Sequence, residues 1–332
     1  MTIAAFGEVM LRLTVPDHLL LEQTDQLQMS FTGTGVNILA SLAHFGQDTR
    51  LISAVPANRL GSAAQGALRR IGVGDRFVQQ RGDHLGSFFV ELGYGNRPES
   101  VTYQNRLASA FGTSTVADYP VTAALQDVDV LHICGISLSL TAGTREAAFA
   151  FAEAAAKQKT AVCFDFNYRV ALNQHNTHEQ MRQYYQRMLK SSQVVFGSRR
   201  DLTDLMGYPR DTTDEPLFKQ FLADYDLRVF AGTKRLQKDG RDFIQGFVCD
   251  EAGLHWSEPQ ELMILDRIGG GDAYAAGIIY GLTQQWQVDR SLTFAVANTA
   301  LAHAQIGDSP LATLAQVNAF IASSGATGGL IR

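Results

Sequence analysis

Asp266-Arg267-Ile268-Gly269-Gly270-Gly271-Asp272 is preceded by the apolar segment Leu262-Met263-Ile264-Leu265 and followed by an apolar run from Ala273 to Leu282. The flanks read as a strand entering and a helix leaving. The three glycines then leave bare backbone N–H groups at a helix N-terminus. Amide donors and the helix dipole both favour an anion there, above all a phosphate. A carboxylate beside such a hole would be repelled by the phosphate unless it has a task, such as accepting the proton of a hydroxyl that attacks it. Asp is also a good helix cap, so the stretch alone leaves two readings of Asp272, cap and proton acceptor.

Outward from this stretch, strand-like and helix-like segments alternate. Strands are expected at Thr2–Phe6, Arg50–Val55, Val128–Cys134, Ala161–Phe166, Gln193–Phe196 and Arg228–Ala231. Helical spacing covers Val36–Phe45, Ser62–Ile71, Thr144–Lys157, His178–Leu189, Ala273–Gln285, Ser291–Gln305 and Leu314–Ala322. Short β-rich runs separated by helices predict a mainly parallel sheet covered on both faces. Leu11–Phe31 and Gly86–Arg106 break the alternation, having strand character with no helix behind them. They read as two insertions forming a small second sheet, a lid whose apolar face must be covered by ligand, main domain or another copy. Edge strands of the main sheet are the alternative. This divides the chain into a core (1–10, 33–83 and 110–332) and a lid (11–32 and 84–109), and it favours a homodimer through the lids or a higher homo-oligomer. The glycine-rich tail Ser323–Gly329 reads as a frayed terminus.

The 332 residues are 45% hydrophobic and 18% charged, ordinary for a globular protein. A net charge of −5 argues against a general nucleic-acid binder. Cys134, Cys163 and Cys249 show no metal-ligand spacing and read as buried, reduced thiols. With no signal-peptide pattern and no membrane-spanning run, a cytoplasmic location is expected. The P-loop, the protein-kinase HRD and DFG, the full dinucleotide fingerprint, HExxH and GxSxG are all absent from the sequence.

Other stretches carry candidate chemistry. In Thr32-Gly33-Thr34-Gly35-Val36-Asn37 the glycines permit close backbone approach, and Asn37 can offer donor and acceptor to hydroxyls; a capped strand–helix turn is the plainer reading. Asp165-Phe166-Asn167-Tyr168-Arg169 ends a parallel strand, where ligands bind in open α/β sheets. Alternation would send Asp165, Asn167 and Arg169 to one side, with Arg169 free to fork onto a carboxylate or phosphate. A surface Arg–Asp pair is the alternative. Tyr103 and Arg106 end the second lid segment and could cover a sugar and hold an acid group; packing of the Tyr on its sheet is the plainer reading. Gly232-Thr233-Lys234-Arg235 follows a strand and either meets nucleotide phosphates or forms a solvated loop. The eight histidines form no ligand-like spacing, so no structural metal is assigned.

Together these stretches resemble the ribokinase-like (PfkB) carbohydrate kinases, and within them the 2-keto-3-deoxygluconate kinases. Asp266 to Asp272 followed by Ala273-Tyr274-Ala275-Ala276-Gly277 is similar to the family's C-terminal signature, and Thr32 to Asn37 to its N-terminal glycine motif. Gly7 to Leu13, His132 to Leu138 and Asp165 to Arg169 resemble segments of the ketodeoxygluconate branch. The resemblance implies a three-layer α/β/α sandwich with a small β-sheet lid, and ATP-dependent phosphorylation of 2-keto-3-deoxygluconate. Asp272 would be the base, and Gly269, Gly270 and Gly271 the anion hole. Gly33, Thr34, Gly35, Asn37, Tyr103, Arg106, Ile136 and Arg169 would line the sugar-acid site. Asn167, Arg169, Ser198, Gly232, Thr233, Lys234, Arg235, Gly269, Gly271 and Asn298 would meet ATP, with magnesium carried by the nucleotide and Asp201 a candidate ligand. As an Asp beside a helix N-terminus, Asp272 is expected to ionise easily.

The chain departs from the pattern in places. Thr32 replaces a glycine, and Tyr103-Gln104-Asn105-Arg106 is one residue longer than Tyr-x-Arg. Ser198-Arg199-Arg200-Asp201 stands for Asn-x-x-Glu, and Lys234 and Arg235 stand where many members have glycines. A kinase of a neutral sugar (fructokinase or ribokinase type) and a non-catalytic sugar sensor on the same fold are the other readings.

Overall fold

A computed structural model describes residues 1–323. The first strand, β1 (Thr2–Phe6), sends Ile3 and Ala5 to one face of a sheet and Ala4 and Phe6 to the other, all fully buried. Only a strand covered on both sides can be apolar at every position. The chain then makes an antiparallel excursion through β2 (Met10–Thr14) and β3 (Gln28–Thr32). It returns through α1 (Thr34–His44), β4 (Asp48–Val55), α2 (Arg59–Arg70) and β5 (Phe77–Gln80). A second excursion forms β6 (Gly86–Glu91) and β7 (Ser100–Gln104). Then come α3 (Val121–Leu125), β8 (Val130–Cys134), α4 (Ile136–Leu140), α5 (Ala142–Lys157), β9 (Ala161–Asp165), α6 (His178–Leu189), β10 (Val194–Phe196), a π-helical turn over Asp201–Met206, and α7 (Asp214–Tyr225). The final third holds β11 (Val229–Lys238), β12 (Arg241–Asp250), β13 (Gly253–Trp256), β14 (Gln260–Glu261), α8 (Gly270–Thr283), α9 (Val288–His303) and α10 (Leu314–Ala322).

Among the described residues the main sheet has ten strands in the order β13-β12-β11-β10-β9-β8-β1-β4-β5, with β14 also on β12. It is parallel from β5 to β11 and antiparallel beyond. One core packs α1, α2, α8, α9 and α10 on one face; the other packs α5, α6 and α7 on the opposite face. The fold is therefore the expected three-layer α/β/α sandwich. The excursions form a separate four-stranded sheet, β3-β2-β6-β7, with β2 and β6 parallel at its centre. Its inner face places Met10, Phe88 and Val90 in a small buried cluster that Ile268 packs against.

Three local expectations are corrected. Leu262–Leu265 is not a strand; the paired segment before it is only Gln260–Glu261. Gly232 to Arg235 is not a loop after a strand ending at Ala231, because β11 continues through Lys238 and pairs along its length with β12. The helices α1 and α2 begin earlier than their apolar spacing suggests, at Thr34 and Arg59, and Asn58 Oδ1 caps α2 by accepting from the N–H groups of Leu60 and Gly61. Of the predicted tail Ser323–Gly329, everything beyond Ser323 lies outside the described residues.

Candidate functional site

The carboxyl ends of β1, β8, β9 and β10 open into a cleft of about 950 Å³, roofed by the inner face of the small sheet. Its size is at the upper end for a small-molecule site, and it sits where open parallel sheets bind ligands. Gly33, Thr34, Gly35, Asn37, Tyr103, Arg106, Ile136, Asn167, Arg169, Ser198, Asp201, Gly232, Thr233, Arg235, Gly269, Gly271 and Asp272 all line it. Gly33 is forced by close approach. Its φ is +155°, and a Cβ would lie 2.1 Å from Glu8 O. Gly269 occupies the cap position of α8 at φ +84°, where a Cβ would meet Asp308 O at 1.9 Å. No side chain is possible there without moving the loop after α9.

Three predicted residues are placed elsewhere. Gly270 is buried behind the turn, and Lys234 points to solvent from β11. Asn298 is fully buried inside α9, its amide donating to Ala273 O (2.9 Å) and Ser41 Oγ (3.1 Å). The structure therefore gives Asn298 a helix-packing role away from the cleft. Asn167 departs from the predicted alternation as well. The strand ends at Asp165, and Asn167 turns at φ +37° while its N–H donates to Asp165 Oδ1 (3.0 Å).

Asp272 does not cap α8. Gly269 holds that position, and Asp272 Oδ2 accepts instead from Asn37 Nδ2 at 2.7 Å. Asn37 Oδ1 in turn accepts from Thr32 Oγ1 and Ser309 Oγ, both at 2.9 Å, and this fixes which end of the amide faces Asp272. Among the described residues no donor reaches Asp272 Oδ1. Burial pushes the Asp272 carboxyl up to about 8; Asp165 and Asp308 add to this, and the Asn37 bond and Arg169 oppose it. This runs against the expected easy ionisation, because burial disfavours the charged carboxylate. Asp165 is similarly pushed up to about 7 by burial, with nearby Asp201 adding and Arg169 opposing.

Sequence reading missed the groups behind the cleft. Arg12 of β2 is fully buried and pairs with Asp308 and, at 2.5 Å, with Asp266; its Nε donates to Thr14 Oγ1 at 2.8 Å. Asp308 also accepts from Thr32 Oγ1 (2.8 Å), so the residue in place of a motif glycine joins the network. Glu8 is buried and accepts twice from Arg106, from Nε at 3.0 Å and Nη2 at 2.8 Å. Tyr103 lies under the same guanidinium at 4.9 Å. Arg106 thus reaches the cleft with its charge already matched. The available signal was placement: Arg12 alternates with Met10 and Thr14 on one side of a strand, an unusual position for a charge.

The carboxylates of the wall suit a magnesium ion carried in on a nucleotide. Asp165 and Asp201 offer hard oxygens in the wall, and Asn167 Oδ1 is buried with no partner among the described residues. Among the described residues no cluster of three or more His, Cys, Asp or Glu could hold a metal alone. Such a wall fits magnesium that arrives on phosphates and needs only one or two carboxylates. Ser198 donates from its N–H and Oγ to Asp201 Oδ2, both at 2.7 Å, which orients that carboxylate. No helix among the described residues is long and apolar enough to cross a membrane.

Comparison with known proteins agrees with this geometry. The model of the pfkB family carbohydrate kinases matches residues 2–313. A crystal structure of an Enterococcus faecalis protein, provisionally assigned as a 2-keto-3-deoxygluconate kinase, is 50% identical and superposes with a TM-score of 0.96 over 100% of this chain and 99% of that one. A 5-dehydro-2-deoxygluconokinase of Clostridium perfringens is 27% identical over 86% of this chain and 81% of its own length. A 2-dehydro-3-deoxygalactonokinase of Haloferax volcanii is 25% identical over 94% of this chain and 93% of its own length. With the glycine turn, the cleft and the roofing sheet in place, the match over nearly the whole chain makes this protein a phosphotransferase of the pfkB family of carbohydrate kinases.

Proposed function

We propose that the protein transfers the γ-phosphoryl group of ATP to the terminal hydroxyl of 2-keto-3-deoxygluconate, giving 2-keto-3-deoxy-6-phosphogluconate and ADP. The observation that carries this reading is Asp272, pinned through one oxygen by Asn37 at the glycine turn, with the other oxygen free at the cleft. In the reaction, Asp272 accepts the hydroxyl proton as the oxygen bonds to phosphorus, and the Oβ–γP bond to ADP breaks. The N–H groups of the Gly269–Gly271 turn donate to the phosphoryl oxygens, and Arg235 adds positive charge at the rim. Magnesium, held on the nucleotide with Asp165 and Asp201 nearby, would offset phosphate charge. A bound cation would also favour the ionised form of Asp272, which burial disfavours.

The acid end of the sugar falls to Arg169. Arg12 is matched by two aspartates and Arg106 by Glu8, whereas Arg169 forms no ion pair among the described residues. The relatives' substrates, all keto-deoxy sugar acids by name, support an acidic sugar. The Glu8–Arg106 pair favours a second reading, a neutral sugar whose hydroxyls meet an uncharged subsite. The test measures ADP formation with 2-keto-3-deoxygluconate, its galactonate epimer, 5-keto-2-deoxygluconate, fructose and ribose, for wild type and Arg169→Ala. Activity confined to the acids, with the acid preference lost in Arg169→Ala, is the expected result. Activity only with fructose or ribose would replace the substrate. Sugar binding without any ADP formation would favour a sensor.

A further inference from the structure

His303, the last residue of α9, takes no part in the proton transfer above, yet it is almost fully buried beside the cleft and both its nitrogens are engaged. Nδ1 lies 2.8 Å from Thr299 O, which can only accept, so Nδ1 carries the proton. Nε2 lies 3.3 Å from Arg235 Nη2, which can only donate, so Nε2 presents its lone pair. The neutral Nδ1–H tautomer alone satisfies both contacts. Burial, with Arg235 and Arg267 close by, keeps the ring's pKa below its usual value, which suits that form.

The ring has a third contact. It lies against Gly270, where a Cβ would come within 2.2 Å of its Cε1. It is therefore the surface on which the glycine turn rests, opposite the face open to the cleft. Arg235 lines that cleft with Gly269 and Gly271 and, unlike Arg267 with Asp242, has no carboxylate partner among the described residues. A carboxylate at position 303 would hold the guanidinium as firmly but would cancel its charge. A neutral imidazole fixes one edge of the guanidinium and leaves the charge available to an anion.

We propose that His303 is a positioning residue for the nucleotide polyphosphate, aiming Arg235 at the transferring phosphate and backing the Gly269–Gly271 turn. The proposal rests on the kinase reading and adds a residue to it. Two substitutions separate the ring's contacts. His303→Gln keeps a polar atom near the Nε2 position and so keeps an acceptor for Arg235. His303→Asn keeps one near Nδ1 for Thr299 and loses Arg235.

ATP affinity is read by calorimetric titration without sugar, and KM for ATP and for sugar by ADP formation. His303→Asn should weaken ATP about tenfold, the scale of one hydrogen bond to a charged group, with sugar KM unchanged. His303→Gln should stay within about threefold of wild type, since that bond is kept. In an Arg235→Leu background, His303→Asn should add far less than its tenfold loss, only what backing the glycine turn contributes. Equal losses for Asn and Gln, a matching rise in sugar KM, or additive loss with Arg235→Leu would each reduce His303 to a packing residue. Long-range 1H–15N spectra of the histidines in the wild-type protein give a readout independent of variant folding and of activity. The Nδ1–H tautomer is expected at neutral pH, and an Nε2–H tautomer or an imidazolium would overturn the proposal. Wild-type protein that forms no ADP with any sugar would instead sink the kinase reading, and the tautomer would still decide the His303–Arg235 contact.

Discussion

The proposed role would place Asp272 under opposing demands. A proton acceptor must be ionised when the hydroxyl attacks, but burial raises this carboxyl to about 8. Asp272→Asn should lower turnover by a factor of ~10² or more, the range of general-base contributions, while ATP still binds; near-normal turnover would remove Asp272 from the chemistry. The same variant has a stability signature. Folded Asp272 binds its proton more tightly than the unfolded chain does, so its protonated form carries no penalty below the unfolded pKa. Wild-type stability is then lost as pH rises through about 8. The thermal midpoint of Asp272→Asn should match wild type near pH ~4 and exceed it by a few degrees above pH ~9, measured without ligands. A constant gap across that range would show that the carboxylate is not penalised by burial. Asp272, its glycines and Asp165 were legible in the sequence because each lies in a short contiguous motif. The partners of Arg12 were not, because Asp266 and Asp308 lie 254 and 296 positions away and only the folded chain brings them together.

At the scale of elements, β2 is the strand that joins the small sheet to the core. Its inward residues are Met10, Arg12 and Thr14, and the middle one reaches both loops that flank the glycine turn. Arg12→Met would strand two buried carboxylates, and breaking a buried pair from one side costs about 3–5 kcal/mol. A large fall in the thermal midpoint is expected, with part of it recovered when Asp266 and Asp308 are also replaced by Asn. An unchanged midpoint for Arg12→Met would mean that the triad contributes little. The strands of the parallel sheet could be read from their continuous apolar runs. The long hairpin of β11 and β12 could not, because its outer half is polar and carries Lys234, Arg235 and Lys238. Its signal was Asp239-Gly240, two residues at φ +50° and +73° that make the tight turn typical of a two-residue hairpin. That pair sits beyond the point where polarity suggests a loop, so the hydrophobic pattern alone ends the strand too early.

For the whole molecule, the outer face of the small sheet remains to be explained. Leu13 and Phe89 pair across β2 and β6 and are only partly buried, and Met29 beside them is 58% exposed. A four-stranded sheet with an apolar face only partly covered is a poor end state, and a second copy laid face to face would cover it. Sedimentation velocity should therefore show a dimer for wild type and a monomer for Met29→Glu/Phe89→Glu. A monomeric wild type at micromolar concentration would leave that face to another purpose.

Thr32 stands at the root of this sheet, within bonding distance of both Asn37 Oδ1 and Asp308 Oδ2. A hydroxyl has one hydrogen to give, so at any instant one of the two acceptors must do without it. Either Asn37 leans on Ser309 alone or Asp308 leans on Arg12 alone. A single hydrogen atom is thus shared between the clasp at the base of the small sheet and the amide that holds Asp272, and a change at either end is registered at the other.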